Sequence, residues 1–465
     1  MMALVLALIL SGTGNAVEGG VLPLSLGEVL RSAEEVFPSL VAARADLEGA
    51  GGDLQTSAGA FDPIWRTRLW TAPISGYPQT RLDSAVEVPT PLWGASFFAG
   101  YRLGLGNIPI YYRERETLSA GEVRAGALVP VLRNGPIDRR RANQARAELG
   151  QQLGGMAVSQ QRLEISRLAA FRYWDWVAAG RRREIARSLL QLASDRDAQL
   201  ATRAKAGDVP LFDRQDNQRA LAQREALLVQ AQRGVEQAAF ELSLYLRDAQ
   251  GQPLTPEEAR LPPTFPEPDG SLSERANVDE ALARRPDVQR VIAQRRQQEI
   301  ELTFQENQLL PALDVGLTYT QDLGNTQRPE LEPLRKPELE VFALLEVPLL
   351  YRAPLGRIQS ARAALARLDA QLQLARDRVT IDVRDAVSAL RAAQERLTFT
   401  RQEVEISLQL ERGERTRFEL GDSTLLFVNL REQAAAEARL REIDALNDFH
   451  RSMAALRVAL ALPAE

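Results

Sequence analysis

Two segments of the chain share one pattern and decide its architecture. Residues 38–63 have the sequence PSLVAARADLEGAGGDLQTSAGAFDP, and residues 286–311 have the sequence PDVQRVIAQRRQQEIELTFQENQLLP. Each segment begins with a proline and ends with a proline 25 positions later. The pattern indicates an internal duplication, so we expect one architecture built twice instead of several unrelated domains.

The correspondence continues downstream of these segments. The run from Val129 to Leu132 matches the run from Val347 to Leu350. Further residues match in order between the copies: Arg203, Gly207 and Asp208 in the first, and Arg417, Gly421 and Asp422 in the second. The first copy has about 30 additional residues, including the run from Trp93 to Arg102. We expect this addition to form an elaborated outer loop or an extra hairpin.

The composition removes several functional classes. The formal net charge is −5, so nothing in it favours nucleic acid as a partner. The chain has no Cys and a single His, His450. The sequence therefore lacks the Cys and His residues that are needed for disulfides, thiolate nucleophiles, zinc clusters and histidine-dependent triads. We expect no enzymatic activity, no cofactor and no metal site, and we expect His450 to be a packed or solvated helix residue.

The N-terminus has the features of an export signal. Residues Met1 to Leu10 form a continuous apolar run, and small and polar residues follow it as far as Ala16. The pattern predicts a signal peptide over residues 1–16, although the usual positive n-region is missing. No later stretch has the roughly 18 continuous apolar residues of a membrane-spanning helix. If the exported protein crosses a membrane, it must do so with strands.

Strands are predicted after each closing proline. The run from Leu313 to Thr320 alternates strictly between apolar and polar residues, and a less regular run extends from Leu339 to Val347. Periodicity alone fits a transmembrane barrel hairpin and a soluble hairpin equally. The first copy favours the membrane, because aromatic residues crowd this region as they do at membrane interfaces. They are Trp65, Trp70, Tyr77, Trp93, Phe97, Phe98, Tyr101, Tyr111 and Tyr112.

Very long helices are predicted after the strands. No proline interrupts the chain between Pro354 and Leu420, and a helix of this length would span about 100 Å. Apolar or small residues recur in it at coiled-coil spacing, with one four-residue stutter. They are Leu365, Leu368, Leu372, Ala375, Val379, Val383, Ala386, Leu390, Ala393, Leu397, Thr400 and Val404. The first copy has a similar stretch from Pro136 to Ala206, and in both copies a turn follows and a second helix returns.

A proline-rich stretch separates the two copies. We predict a first repeat over residues 22–249, a linker over residues 250–276 and a second repeat over residues 277–462. Each repeat is predicted to consist of a β-hairpin followed by a long helical hairpin.

The ordered set of motifs resembles the TolC family of outer-membrane efflux proteins. The motifs are Ala-Leu-x-x-Arg-Pro-Asp-Val at Ala281 to Val288, the closing Leu310-Pro311, Val-Pro-x-Leu before each long helix, and Arg-x-x-x-Gly-Asp at each turn. The resemblance implies a mainly α fold with a membrane β-barrel portion. In it, three identical chains would each give four strands to a 12-stranded barrel and pack their helices into an α-helical tunnel.

The resemblance also implies a function, a location and partners. The chain would be the outer-membrane channel of a tripartite efflux or type I secretion system. It would act as a passive duct set in outer-membrane lipid, with its helical tunnel in the periplasm. A periplasmic membrane-fusion adaptor would dock on it and couple it to an inner-membrane pump of the RND or ABC type. The alternative is a periplasmic coiled-coil scaffold or adaptor without a channel.

The residues implied for docking lie at the two helical turns. They are Arg203, Gly207, Asp208, Arg417, Gly421, Asp422 and Ser423. Plain helix capping is the alternative role for the glycines, and a solvated helix face is the alternative for the arginines.

A pore constriction is implied close to the same turns. The family often has aspartates six residues after the tip glycine, facing the lumen. The first copy has Asp213 there, whereas the second has Phe427. The resemblance therefore implies one acidic ring and one apolar collar, and the alternative role of Asp213 is to cap the return helix.

Overall fold

The computed structural model describes residues 22–108, 116–206, 210–326, 331 and 335–464. The chain divides into two compact units. The sheet unit comprises Ser39–Arg162 and Asn277–Asp382, and the helical unit comprises Met1–Pro38, Leu163–Ala276 and Val383–Glu465. The predicted signal peptide lies outside the described residues.

Nine α-helices are found in the described residues. They are α1 (Leu26–Val36), α2 (Pro38–Ala58), α3 (Arg139–Ala206), α4 (Leu211–Ser243), α5 (Ser271–Arg275), α6 (Val278–Arg284), α7 (Pro286–Asn307), α8 (Arg352–Glu419) and α9 (Leu425–Ala459). The two long helices, α3 and α8, each have 68 residues, which confirms the prediction of long helices in both copies. Among the described helices, none is both long enough and apolar enough to span a membrane.

The strands form a single antiparallel sheet in chain order. They are β1 (Ile64–Ala72), β2 (Gln79–Pro89), β3 (Ser96–Gly106), β4 (Glu122–Pro130), β5 (Ala312–Asp322) and β6 (Glu338–Glu346). The second copy has the two strands predicted for it. The first copy has four, because its additional residues form an extra hairpin, which is one of the two forms expected for them. The expectation of four strands per chain is therefore wrong, and a total of 12 strands for three copies does not follow from this sheet.

The two faces of the sheet differ in charge. Residues paired directly across neighbouring strands lie on the same face, so the strand register assigns every side chain. One face carries no Asp, Glu, Lys or Arg in any of the six described strands, and we call it the uncharged face. Its members include Leu69, Val86, Phe97, Ala125, Leu317 and Val341. The opposite face, which we call the charged face, holds all the charged residues of the strands.

Ion pairs link neighbouring strands on the charged face. Arg102 of β3 contacts Glu122 of β4 at 2.5 Å. Arg124 of β4 reaches over β3 to Asp83 of β2, also at 2.5 Å. Gly100 of β3 lies between them, and a Cβ there would come within 2.6 Å of the Ala85 Cβ. The absence of a side chain at this position is thus required by the close packing of the strands.

The crowded aromatic residues do not form a single outward girdle. Trp65, Phe97 and Tyr101 lie on the uncharged face, as a membrane girdle requires. Trp70 and Phe98 lie on the charged face instead, where the guanidinium carbons of Arg81 and Arg124 stand 4.7 and 5.8 Å from their ring centres. Tyr77 and Trp93 lie in turns, and Tyr111 and Tyr112 lie outside the described residues. The cation–π contacts explain why two large rings tolerate a polar face.

The Arg-Pro-Asp-Val motif forms the junction between α6 and α7. Arg285 precedes α7, and Pro286 occupies the first position of the helix, where a missing N–H costs nothing. The Arg285 side chain donates to Asp287 at 2.7 Å and to Asp382 of α8 at 3.3 Å. Burial alone would raise the pKa of the Asp287 carboxyl, but Arg285 holds it below its usual value. The motif therefore fixes α7 against a long helix of the same unit.

The apolar stripe predicted along α8 is inward-facing throughout. Every one of its twelve members is buried or half-buried, including the residues on both sides of the stutter. Val379 and Val383, which flank the stutter, are 0% and 1% exposed. This confirms the coiled-coil pattern as the packing pattern of the helix.

The single histidine packs inside the helical unit. His450 of α9 stacks on Trp174 of α3 with 4.3 Å between ring centres, and on Phe265 of the proline-rich stretch with 5.6 Å. Burial lowers the pKa of the His450 imidazole to about 4, although a hydrogen bond with the Pro266 backbone opposes this. The prediction of a packed helix residue is confirmed. The proline-rich stretch is therefore anchored to the helices by stacked rings and is not a free tether.

Candidate functional site at the helical turns

The turn between α8 and α9 is closed by backbone hydrogen bonds. The Asp422 N–H donates to the Arg417 carbonyl at 2.8 Å, and the Gly421 N–H donates to the Phe418 carbonyl at 3.1 Å. This pair of bonds is the Schellman arrangement, which requires a left-handed residue after the helix. Gly421 supplies it with a φ of 85°. The capping role proposed as an alternative for this glycine is thus present in the structure.

Polar side chains surround the same turn. Arg417 donates to the Asp422 carbonyl at 3.3 Å and lies 3.6 Å from the Glu414 carboxylate. The Ser423 hydroxyl also donates to Glu414. The Arg417 side chain is 62% exposed, so a partner can reach it. The sequence did not point to Glu414, although its carboxylate contacts both Arg417 and Ser423.

The turn between α3 and α4 is described only at its two ends. Arg203 lies exposed in the last turn of α3. Gly207 and Asp208 lie outside the described residues. The role of this turn in docking therefore remains a proposal.

Asp213 and Phe427 occupy equivalent positions in the two return helices. Each is the third residue of its helix, α4 or α9. The Asp213 N–H donates to the Pro210 carbonyl at 3.2 Å, and the Phe427 N–H donates to the Thr424 carbonyl at 3.1 Å. The correspondence of these two residues, deduced from the turn motifs, agrees with their place in the helices.

Exposed apolar side chains gather near the second turn. Leu420, Leu426, Phe427 and Leu430 have exposed fractions of 73%, 62%, 51% and 56%. Apolar groups at such exposure mark surfaces that contact another molecule. The second turn therefore combines a polar rim with an apolar surface.

A buried charge cluster ties four helices together a few residues beyond the turn. Glu432 of α9 has a fully buried side chain that pairs with Arg196 of α3. It also contacts Arg224 of α4 at 3.0 Å and Arg415 of α8 at 3.3 Å. Burial alone would raise the pKa of the Glu432 carboxyl, but Arg196 and Arg224 hold it below its usual value. We call Glu432 and these three arginines the Glu432 cluster.

Sequence reasoning missed the Glu432 cluster. Its members lie on four separate helices, and in a chain with 57 Lys and Arg residues no single arginine stands out. The available signal was weak: Glu432 occupies a helix position four residues after Val428 and three before Ala435, both of which are buried.

Comparison with known proteins agrees with this architecture. Residues 277–462 match the model of the outer membrane efflux protein family. No curated protein matches the sequence. Among solved structures, the outer membrane protein VceC of Vibrio cholerae has 17% identity and a TM-score of 0.64, with 95% of this chain and 97% of that chain covered.

Two further channels show the same fold. The open state of the Neisseria gonorrhoeae MtrE outer membrane channel has 15% identity and a TM-score of 0.64, covering 95% of this chain and 89% of its own. The Campylobacter jejuni CmeC outer membrane channel has 11% identity and a TM-score of 0.61, covering 94% and 85%. The second half of the chain thus matches the outer membrane efflux protein family, and the whole chain shares the fold of these channels.

Proposed function

We propose that the protein is the outer-membrane channel of a tripartite efflux or type I secretion system and acts as a passive duct. The observation that carries the proposal is the six-stranded sheet with one uncharged and one charged face. An uncharged face of this extent suits lipid, and the charged face suits a water-filled pore. The 68-residue helices joined to the strands would continue the duct through the periplasm.

The sheet also weighs against the alternative function. A periplasmic scaffold or adaptor without a channel would expose the uncharged face to water, at a cost that grows with its apolar area. Leu69 and Val341 on this face are 67% and 66% exposed in the single chain. A homotrimer set in lipid would cover these side chains.

Fractionation of cells tests the proposal directly. We expect the protein in the outer-membrane fraction, extracted by detergent as a trimer, and we expect it to conduct ions in planar lipid bilayers. A water-soluble monomer in the periplasmic fraction would contradict the channel and favour the scaffold.

We further propose that the turns dock a periplasmic adaptor that couples the duct to an inner-membrane pump of the RND or ABC type. The exposed side chain of Arg417, the exposed Arg203 and the apolar surface near the second turn support this role. Ser423 and Asp422 lie on the same rim.

Replacing Gly421 by valine should abolish transport while the trimer persists. A β-branched residue at a φ of 85° is strained by about 1–2 kcal/mol, which should distort the turn locally. Gly413→Val is the matched control, since Gly413 lies inside α8 and a Cβ there would meet no described atom within 4 Å apart from its own stretch of helix. Transport and detergent-stable trimer are measured together. Loss of the trimer in Gly421→Val alone would assign this glycine to folding instead of docking.

We propose that Asp213 and Phe427 line the constriction of the duct. Three copies of Asp213 around an axis would attract cations, and Phe427 would narrow the pore. Asp213→Asn should lower cation preference and divalent block in bilayer recordings, and Phe427→Ala should raise conductance. Unchanged selectivity together with a lower melting temperature in Asp213→Asn would instead assign Asp213 to the favourable acidic first turn of α4.

A further inference from the structure

A cavity of about 370 Å³ lies in the helical unit beside the proline-rich stretch. The buried residues of its lining are Trp174, Phe449, His450, Ala454 and Ala464, and we call this space the His450 cavity. Among these five side chains, only the imidazole of His450 can accept a hydrogen bond. Small ligands usually occupy cavities of roughly 300–1,000 Å³ that have mainly apolar walls and a few polar groups. The His450 cavity has this size and this kind of lining.

The imidazole of His450 has an acceptor that the described residues leave unused. Burial lowers the pKa of the ring to about 4, so at neutral pH it is uncharged and has one N–H and one lone pair. Pro266 has no backbone N–H, so the hydrogen bond between its backbone and His450 uses the N–H of the ring. The Nε2 atom is buried and has no hydrogen-bond partner among the described residues. A buried acceptor without a donor is costly, and a ligand with a donor would remove that cost.

Aromatic rings form much of the buried wall. Trp174 is stacked on His450, with 22° between the ring planes, and Phe449 stands edge-on to His450 at 90°. Trp174 and Phe449 are 7% and 1% exposed, so their rings are held in place by packing. The thioether of Met453 also lines the cavity, and sulfur makes favourable contacts with aromatic rings. This wall therefore favours a flat aromatic group.

The mouth of the cavity has charges of both signs in equal number. Its charged lining residues are Glu267, Asp269, Arg275 and Arg457. Arg401 lies 3.4 Å from the Glu267 carboxylate, and the Asp269 carboxylate accepts a hydrogen bond from the Ser271 N–H at 2.9 Å. The Arg457 side chain donates to the Pro463 carbonyl at 2.8 Å. Deeper in the cavity, the buried lining residues offer no counter-charge, so a charged group would lose its water without compensation.

We propose that the His450 cavity binds an uncharged aromatic alcohol, whose hydroxyl donates to the unused nitrogen of His450 and whose ring packs against Trp174 and Phe449. The site is separate from the helical turns, because His450 lies 25 residues beyond the start of α9, roughly 38 Å along the helix. It is a binding site additional to the proposed duct and does not depend on it.

Nuclear magnetic resonance of the full-length protein tests the proposal. The chain has a single His, so histidine labelled with nitrogen-15 gives one set of ring signals when the purification tag contains no histidine. The probe is 2-naphthol, added to the detergent-extracted protein. We expect a saturable shift of the signal of the unprotonated ring nitrogen towards the position of a hydrogen-bonded acceptor. The matched probe is 2-methoxynaphthalene, which has the same rings but cannot donate, and it should not produce this shift.

Equilibrium dialysis in the same detergent measures the affinities of the two probes. We expect 2-naphthol to bind about five to ten times more tightly than 2-methoxynaphthalene, the ratio that one net hydrogen bond gives. His450→Phe keeps a ring against Trp174 but removes the acceptor, so the two probes should bind this variant equally. Asp269→Asn is the matched control at the mouth. It should change the affinity for 2-naphthol less than twofold, because an uncharged ligand does not depend on the charge there.

Four outcomes would overturn the inference. Unchanged ring signals at saturating 2-naphthol would show that water alone fills the cavity, and this result needs no variant to fold. Equal affinities of the two probes for the unmodified protein would exclude the hydrogen bond. A preference for the alcohol that persists in His450→Phe would place that bond elsewhere. A tenfold loss in Asp269→Asn would show recognition of charge. None of these measurements depends on trimer formation or transport, so each result leaves the proposed channel unaffected.

Discussion

Glu432→Ala should lower the free energy of unfolding of the helical unit by about 3–5 kcal/mol, the usual effect of breaking a buried ion pair. The substitution leaves three guanidiniums without the carboxylate that they share. Arg196 and Arg224 are the most affected, because their side chains are only 12% and 10% exposed. The buried positive charge that remains is the main source of the loss.

Two other variants identify the cause of that loss. Glu437→Ala is the matched control, since Glu437 lies on the same helix but is exposed, where it accepts a hydrogen bond from Gln433 and stands 4.0 Å from Arg441. It should cost less than about 1 kcal/mol. Glu432→Gln keeps the shape and one acceptor oxygen but removes the charge and replaces the second acceptor by a donor, so it should fall between the two. Thermal unfolding of the detergent-extracted protein by circular dichroism measures all three.

Equal melting temperatures for Glu432→Ala and Glu437→Ala would show that the cluster does not hold the four helices together. The apolar packing around the cluster would then hold the four helices in place without its ion pairs. Arg415 offers a second check, because its side chain is 38% exposed and its loss should cost less than that of Arg224.

Periodicity made the long elements of this fold predictable. The alternating run from Leu313 to Thr320 forms β5, and the apolar stripe of α8 forms the buried side of that helix. Both were predictable because the side chains of a strand or a helix return to the same face at a fixed spacing along the sequence. The proline at the start of α7 and the glycine after α8 were predictable for the same kind of reason. Each satisfies a conformational requirement that few other residues meet.

The features that escaped prediction depend on contacts between distant segments. For the additional residues of the first copy, the sequence left an outer loop and an extra hairpin open, because the alternation is less clear there: the uncharged face includes Thr80 and Ser84, and the charged face includes Phe98. The pairing of neighbouring strands shows on which face of the sheet these residues lie, whereas the sequence of one strand does not. The Glu432 cluster likewise joins four helices whose arginines carry no local sign of burial.

Leu317→Arg should sharply reduce insertion into the outer membrane, whereas Thr318→Arg should be tolerated. Leu317 lies at the centre of β5 on the uncharged face and is 44% exposed, so an arginine there would enter the lipid. Such a substitution costs about 2–4 kcal/mol near the bilayer midplane. Thr318 is the next residue along the strand and lies on the charged face.

Comparing the substitutions at these adjacent residues tests which face of the sheet meets lipid. Thr318 pairs directly with Glu340, so an arginine at 318 gains an opposite charge across the strands. Backbone position, strand propensity and depth in the membrane are nearly the same for both substitutions. The measurement is the amount of heat-stable trimer in the outer-membrane fraction for each variant. An equal loss in both, or a greater loss in Thr318→Arg, would place the uncharged face away from lipid and would remove the observation on which the proposed channel depends.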